Sequence, residues 1–285
     1  MHFDIDEDYY EPPPPEDEYF ERAKTAIEEV IAQQRVVTER ELKVRLENDF
    51  FPWVVTRAMK ALVSSGHIVP QGLAGRRGKM ETKIFYSLPD FKYDEIVGEM
   101  REKRDVSREV VAMLTGQAPA TYFAEDIFEK AFRALDFEII DRDASEYKGR
   151  KTIGVEKKEP PNLDFILKRD NVVYGVDIKN WLGYEYSTRA KVTFKVNLAL
   201  QLGIVPFIVA RYVDRDAMYT EIISKGGICY PYKTLIFSPR FTSLSVTANN
   251  LLGYPTIALD KLPTYKIKHI DFLHNVFLKR QKNGN

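Results

Sequence analysis

Two short apolar runs, Leu163–Leu167 and Val172–Ile178, constrain the fold of this chain more than any other stretch. The polar break Lys168-Arg169-Asp170-Asn171 separates them. β-Branched and aromatic residues bounded by turn formers predict two strands of a hairpin. Side chains alternate along a strand, so Tyr174, Val176 and Ile178 share one face and Asp177 and Lys179 the other. Asp164, in the first run, can be brought alongside by strand pairing. Carboxylates and a lysine on one sheet face are costly to bury without a partner, so they need water or a metal. A hard cation such as Mg²⁺ is held by one or two carboxylates with water completing its shell. Such an ion activates water and stabilises charge on a phosphate under attack. The alternative reading is a charged solvent face on an edge strand, where lysine opposes aggregation.

The rest of the chain supplies context for that hairpin. Its 285 residues are comfortable for two domains, and 44% hydrophobic with 29% charged residues describe an ordinary soluble protein. One cysteine, Cys229, excludes an intramolecular disulfide framework and a cysteine-based zinc finger, and suits a reducing cytoplasm. No apolar run approaches membrane-spanning length, and the N-terminus is acidic rather than signal-like, so neither membrane association nor export is expected. The formal net charge is zero, yet residues 1–21 carry nine acidic groups and no lysine or arginine, around Pro12–Pro15. The other 264 residues therefore hold 42 basic and 33 acidic groups, a balance of +9. Residues 1–17 are expected to be a disordered acidic tail; mimicry of a phosphate backbone is the alternative.

Residues 18–90 predict a small domain. Phe20, Ala23, Ile27, Val30 and Ile31 recur at helical spacing, and Thr38 with Glu41 forms a capping box that opens a second helix. Pro52 suits the first turn of a third helix, carrying Val55, Ala58, Met59 and Leu62 and ended by Gly66. His67–Val69 and Lys83–Tyr86 predict strands around a loop containing Gly72, Gly75, Arg76, Arg77, Gly78 and Lys79. Three helices and a hairpin with a basic tip resemble a winged helix-turn-helix domain. The resemblance implies that the third helix, with Arg57 and Lys60 outward, enters a DNA groove while Arg76, Arg77 and Lys79 form a wing on the backbone. A protein-interaction module is the other reading. Residues 91–117 predict a helical connector broken by Gly116-Gln117-Ala118-Pro119.

Residues 118–285 alternate again. A helix from Tyr122 to about Leu135 precedes a strand at Phe137–Ile140, a polar segment to Pro160, and the Asp164 and Asp177 strands. A helix near Thr188–Leu202 and a strand at Ile204–Ala210 follow, then a helix near Ala217–Ser224, a strand near Lys233–Phe237 and a helix near Ser243–Leu251. That alternation predicts an α/β sheet with helices on its faces. Pro161-Asn162-Leu163-Asp164 followed by Asp177-Ile178-Lys179 resembles the PD-(D/E)xK nuclease superfamily. Asn162-Leu163 stands where the strict pattern runs directly from Pro to Asp, and Lys179-Asn180-Trp181 resembles the Mrr-like and Holliday-junction-resolvase-like branches.

The resemblance implies a restriction-endonuclease-like mixed sheet flanked by helices and a metal-dependent DNA endonuclease, restriction-type or structure-specific. It implies Mg²⁺, with Mn²⁺ as substitute, on Asp164, Asp177, the Ile178 carbonyl and Glu125 from the first helix, Glu129 being the reserve choice. Lys179 then orients the attacking water, stabilises the transition state or takes a proton. Lys191 and Lys195 are implied as phosphate contacts, and double-stranded or branched DNA and a homodimer as partners. A winged-helix regulator, or an interaction subunit with an inactive nuclease-like domain, is the competing function. No Gly-x-x-x-x-Gly-Lys-Ser/Thr loop occurs, so no ATP-driven activity is expected.

Overall fold

The structure is a computed structural model that describes residues 16–74, 80–115, 120–153, 161–181 and 189–283. The tail up to Pro15 and the wing residues Arg76, Arg77 and Lys79 lie outside the described residues. The chain divides into two compact units between Asp105 and Val106.

The first unit runs α1 (Glu16–Gln34), β1 (Val36–Thr38), α2 (Glu39–Arg45), α3 (Pro52–Ser64), β2 (Val69–Ala74), β3 (Met80–Ser87) and the start of α4 (Tyr93–Thr115). The apolar spacing works as expected: Ala23, Ile27 and Ile31 of α1 pack with Leu42 of α2 and Val55, Ala58 and Leu62 of α3 in one core. Thr38 caps α2, its hydroxyl accepting from the Glu41 amide and donating to the Glu41 carboxylate at 3.1 Å. A cap of this kind contributes about 1 kcal/mol. At the end of α3 the amides of Gly66 and His67 return to the carbonyls of Val63 and Leu62, with Gly66 at φ 76°. That left-handed position is why a glycine closes the helix. Strands β1 and β2 both pair antiparallel with β3, giving the order β1-β3-β2. Glu41, fully buried, also meets Lys103 of α4 at 2.9 Å, and Lys103 donates to the Val36 carbonyl at 2.7 Å.

The second unit continues with α5 (Ala120–Arg133), β4 (Glu138–Ala144), β5 (Glu146–Tyr147), β6 (Arg150–Lys151), β7 (Leu163–Arg169) and β8 (Val172–Lys179). Then come α6 (Arg189–Leu202), β9 (Val205–Ala210), α7 (Arg215–Ala217) running into a π-helical stretch Met218–Ile223, and β10 (Ile228–Pro231). The described chain ends with β11 (Leu235–Phe237), α8 (Thr242–Leu252), β12 (Thr256–Ala258) and α9 (Thr264–Asn283). Five strands form a mixed sheet, β10-β9-β8-β7-β4, antiparallel across β4, β7 and β8 and parallel across β8, β9 and β10. The fold is therefore mixed α/β. Among the described residues no helix is long and apolar enough to cross a membrane.

The expected hairpin is β7–β8. Its strands run further than the apolar runs, to Arg169↔Val172, across a two-residue turn with Asp170 at φ 49° and Asn171 at φ 63°. Asp and Asn tolerate left-handed backbone, and two such residues match the strand twist of a tight hairpin. Tyr174, Val176 and Ile178 do share a face, buried with Ile127, Phe128 and Phe132 of α5 and Ile270 and Phe277 of α9. The opposite face packs on α6. There Gly175 is essential to the approach, since a Cβ would stand 2.7 Å from Leu163 Cδ1 and 3.0 Å from Ala199 Cβ. At the turn end, buried His274 of α9 bridges Tyr174 Oη at 2.7 Å and Asp170 Oδ2 at 2.8 Å.

Several features depart from the sequence expectation, among them the short strands β1 and β12, which match no predicted strand. The segment from Asp141 to Pro160 holds the end of β4 and the small β5–β6 pair, not an unstructured polar run. The helix at 217–224 is largely π-helical, β10 matches no predicted strand, and α9 lies in a region assigned no element.

Candidate active site

The site grows from the open end of the β7–β8 hairpin. Pairing proceeds from Arg169↔Val172 to Phe165↔Val176, and Asp164 and Asp177 lie just beyond that last pair. There the backbone ladder gives way to a side chain: the Ile178 amide donates to Asp164 Oδ2 at 2.5 Å. Lys179 Nζ lies 3.1 Å from Asp177 Oδ1 and 3.9 Å from Asp164 Oδ2, and it donates to the Ile178 carbonyl at 3.3 Å. Asp164, Asp177, Ile178 and Lys179 are therefore brought together.

The residues expected from neighbouring helices separate more clearly. Glu129 is held by Arg133 of its own helix, at 2.8 Å, and by Arg142 of β4. Glu125 is instead coupled electrostatically to Asp164 and Lys179. Of the two candidate carboxylates on α5, Glu125 is the one that senses the hairpin carboxylates. Lys191 is exposed on α6. Lys195, expected at a phosphate, turns inward: its Nζ sits 2.5 Å from Asp177 Oδ1 and donates to the Asn162 carbonyl at 3.1 Å. In the first unit Arg57 and Lys60 are exposed on α3, with the Arg57 guanidinium 5.1 Å from the Phe20 ring centroid.

Backbone geometry explains the Lys195 contact. Gly175 and Asp177 are two residues apart on one strand face, roughly 6.6 Å, while Ala199 and Lys195 are one helical turn apart, about 6 Å. The close Gly175–Ala199 contact therefore sets Lys195 against Asp177.

Asn180, which the sequence singled out only as part of the Lys179-Asn180-Trp181 string and without a role, is fully buried. Its side-chain amide donates to the Ile236 carbonyl at 2.7 Å and accepts from the Ile236 amide at 2.9 Å, the two bonds a neighbouring peptide group would make. Tyr232 Oη donates to Asn180 Oδ1 at 3.0 Å and to the Lys179 carbonyl at 3.2 Å, and the Arg211 amide donates to that carbonyl at 3.1 Å. The backbone under Lys179 is therefore fixed from several sides.

The electrostatics are crowded. Burial raises the Asp164 carboxyl to about 6, and the neighbouring Asp177 charge adds to it against the opposing pull of Lys179. Burial, then the charge of Asp164, lifts Glu125 to about 7. For Lys179 burial acts downward, but the charges of Asp177 and Asp164 outweigh it and hold the ammonium above the ordinary lysine range. Burial is the first cause of both upward shifts, and repulsion between neighbouring carboxylates adds to it despite Lys179. Among the described residues, however, no group of three or more His, Cys, Asp or Glu is assembled to hold a metal. A hard cation held by one or two carboxylates, with water completing its shell, would not need such a group. Comparison of the chain with protein-family models, curated proteins and solved structures finds no match.

Proposed function

We propose that the chain is a divalent-metal-dependent DNA endonuclease. The observation that carries this is the convergence of Asp164, Asp177 and Lys179 at the open end of one hairpin, with Lys179 Nζ 3.1 Å from Asp177 Oδ1 and 3.9 Å from Asp164 Oδ2. In this reading the second unit is a restriction-endonuclease-like domain and the first, with its order of helices and β2–β3 hairpin, a winged helix. Asp164 and Asp177 would hold Mg²⁺ or Mn²⁺, which supplies charge stabilisation at a phosphate under attack by water. Lys179, a protonated donor without acceptor capacity, would orient that water or neutralise charge growing on the phosphate oxygens. Glu125 would complete the acidic cluster. Arg57 and Lys60 would hold duplex or branched DNA through its phosphates. One site cuts one strand, so cleavage of both strands calls for two copies related by a two-fold axis. The buried Cys229 thiol, pushed up to about 12 by burial, suits a reducing cytoplasm.

The test is incubation with supercoiled plasmid, linear duplex and a four-way junction, with Mg²⁺ or with EDTA. Asp177→Asn should lower Mg²⁺-dependent cleavage roughly a thousandfold or more, since several kcal/mol of transition-state stabilisation would go with the ion. A second reading, a DNA-binding regulator with an inactive nuclease-like unit, is favoured by the two lysines on Asp177. No cleavage of any of the three DNAs in Mg²⁺ removes the endonuclease and leaves that second reading, whereas cleavage undiminished by EDTA or in Asp177→Asn removes the metal-site assignment.

A further inference from the structure

We infer that Lys195 is a positioning residue that acts as a built-in counter-cation for Asp177, one that a divalent ion must displace. The inference rests on the metal-dependent reading of the Asp164–Asp177 site and concerns how that site is loaded. Asp177 is fully buried, and a buried carboxylate without a cation is strongly disfavoured. Two ammonium groups meet the same oxygen, Lys195 at 2.5 Å and Lys179 at 3.1 Å.

The two lysines are anchored differently. Lys179 extends from β8, whose backbone is pinned through the Lys179 carbonyl and the Asn180 amide. Lys195 reaches in from α6 on a long flexible stem, with the Asn162 carbonyl as its other partner. A divalent ion approaching Asp177 Oδ1 meets the Lys195 charge at contact distance, and both cannot occupy that place. Lys195 is the partner freer to leave, because beyond Asp177 it holds the Asn162 carbonyl, whereas Lys179 also faces Asp164 and donates to the Ile178 carbonyl. Once displaced, its ammonium stands at the margin of the site, able to meet a phosphate there. Loading would then be an exchange of cations that never leaves the buried carboxylate bare.

Direct Mn²⁺ titration by calorimetry, without DNA, tests the idea on the full chain. Lys195→Met should bind Mn²⁺ about tenfold more tightly than the parent, the size of a typical coupling between two ligands of one site. Lys195→Arg, keeping the charge, should stay near the parent. On the unaltered protein, reductive methylation followed by mass spectrometry should label Lys195 several-fold faster with saturating Mn²⁺ than without, which needs no variant to fold. Equal or weaker Mn²⁺ binding by folded Lys195→Met overturns the inference, as does Lys195 labelling unchanged by Mn²⁺. If the parent takes up no Mn²⁺ at all, the metal-dependent reading itself falls. That outcome is distinct from a parent that binds Mn²⁺ and loses it in Asp177→Asn while Lys195 stays shielded.

Discussion

Each unit buries a lysine against a carboxylate, and the two arrangements differ in kind. In the first unit Lys103 meets Glu41 at 2.9 Å, Glu41 bonds Thr38, and Lys103 bonds the Val36 carbonyl. Charges match and donors find acceptors. In the second unit Asp177, Asp164 and Glu125 crowd around Lys179 and Lys195, and two of those carboxyls are driven upward, to about 6 and about 7. A matched pair locks a fold; an unbalanced cluster stores a readiness to bind something charged. Perturbed groups gather where function needs them, and stability is given up there.

The contrast between the units is most open to attack at the matched pair. Lys103→Met leaves the Glu41 carboxylate buried without its ammonium and should cost about 3–5 kcal/mol in denaturant unfolding, most of it recovered when Glu41→Met is added. A cost near zero would mean the pair is no lock. Asp177→Asn, at a residue equally buried, should cost metal-free protein less than Lys103→Met does, because it relieves repulsion on Asp164 and leaves behind Lys179 and Lys195, which reach water, rather than a sealed charge. A cost as large as that of Lys103→Met would erase the distinction.

The pH dependence sharpens the picture further. Glu125 is protonated up to about 7 in the folded protein but ionises near its ordinary 4.5 when unfolded. The folded state therefore holds the extra proton, and the stability Glu125 contributes is complete below about 4.5 and lost as pH rises through about 7. Glu125→Gln should flatten that decline, and thermal unfolding between those limits would show it; an unaltered slope assigns the decline elsewhere. The smallest effect belongs to the exposed charges of α3. Arg57→Ala or Lys60→Ala should each lower the salt slope of duplex binding by about one, the share of a single phosphate no longer neutralised, with folding unchanged.

Much of this was legible in the sequence because period and punctuation agreed. The hairpin announced itself by alternation around an Asp-Asn turn, α2 by Thr38 and Glu41, and the close of α3 by Gly66. Asp177 and Lys179 followed from strand parity, and Asp164 from the pairing of the two apolar runs. Helix α9 stayed hidden because its buried positions are Lys266, Ile270, His274 and Phe277, so half of the inward stripe is polar. α6 was read near Thr188–Leu202 and runs Arg189–Leu202, although Phe194 and Leu200 are exposed on it. β10 is four residues ending in proline, too short for alternation to register. Lys195 and Asn180 could be placed only by tertiary packing, since one depends on how closely α6 approaches Gly175 and the other on a strand far along the chain.

That last dependence bears on the order in which the molecule can be made. The peptide-like embrace of Asn180 and Ile236 joins residues 56 positions apart. Asp177 and Lys179 are synthesised well before β11, whose pairing partner β12 comes later still. A nascent chain emerging from its N-terminus thus carries the acidic hairpin for some time without the clasp that fixes its reactive end. On this account competence is a late event in biogenesis: the hairpin can form early, but its two functional groups acquire a rigid floor only when the chain beyond residue 235 has arrived to provide it.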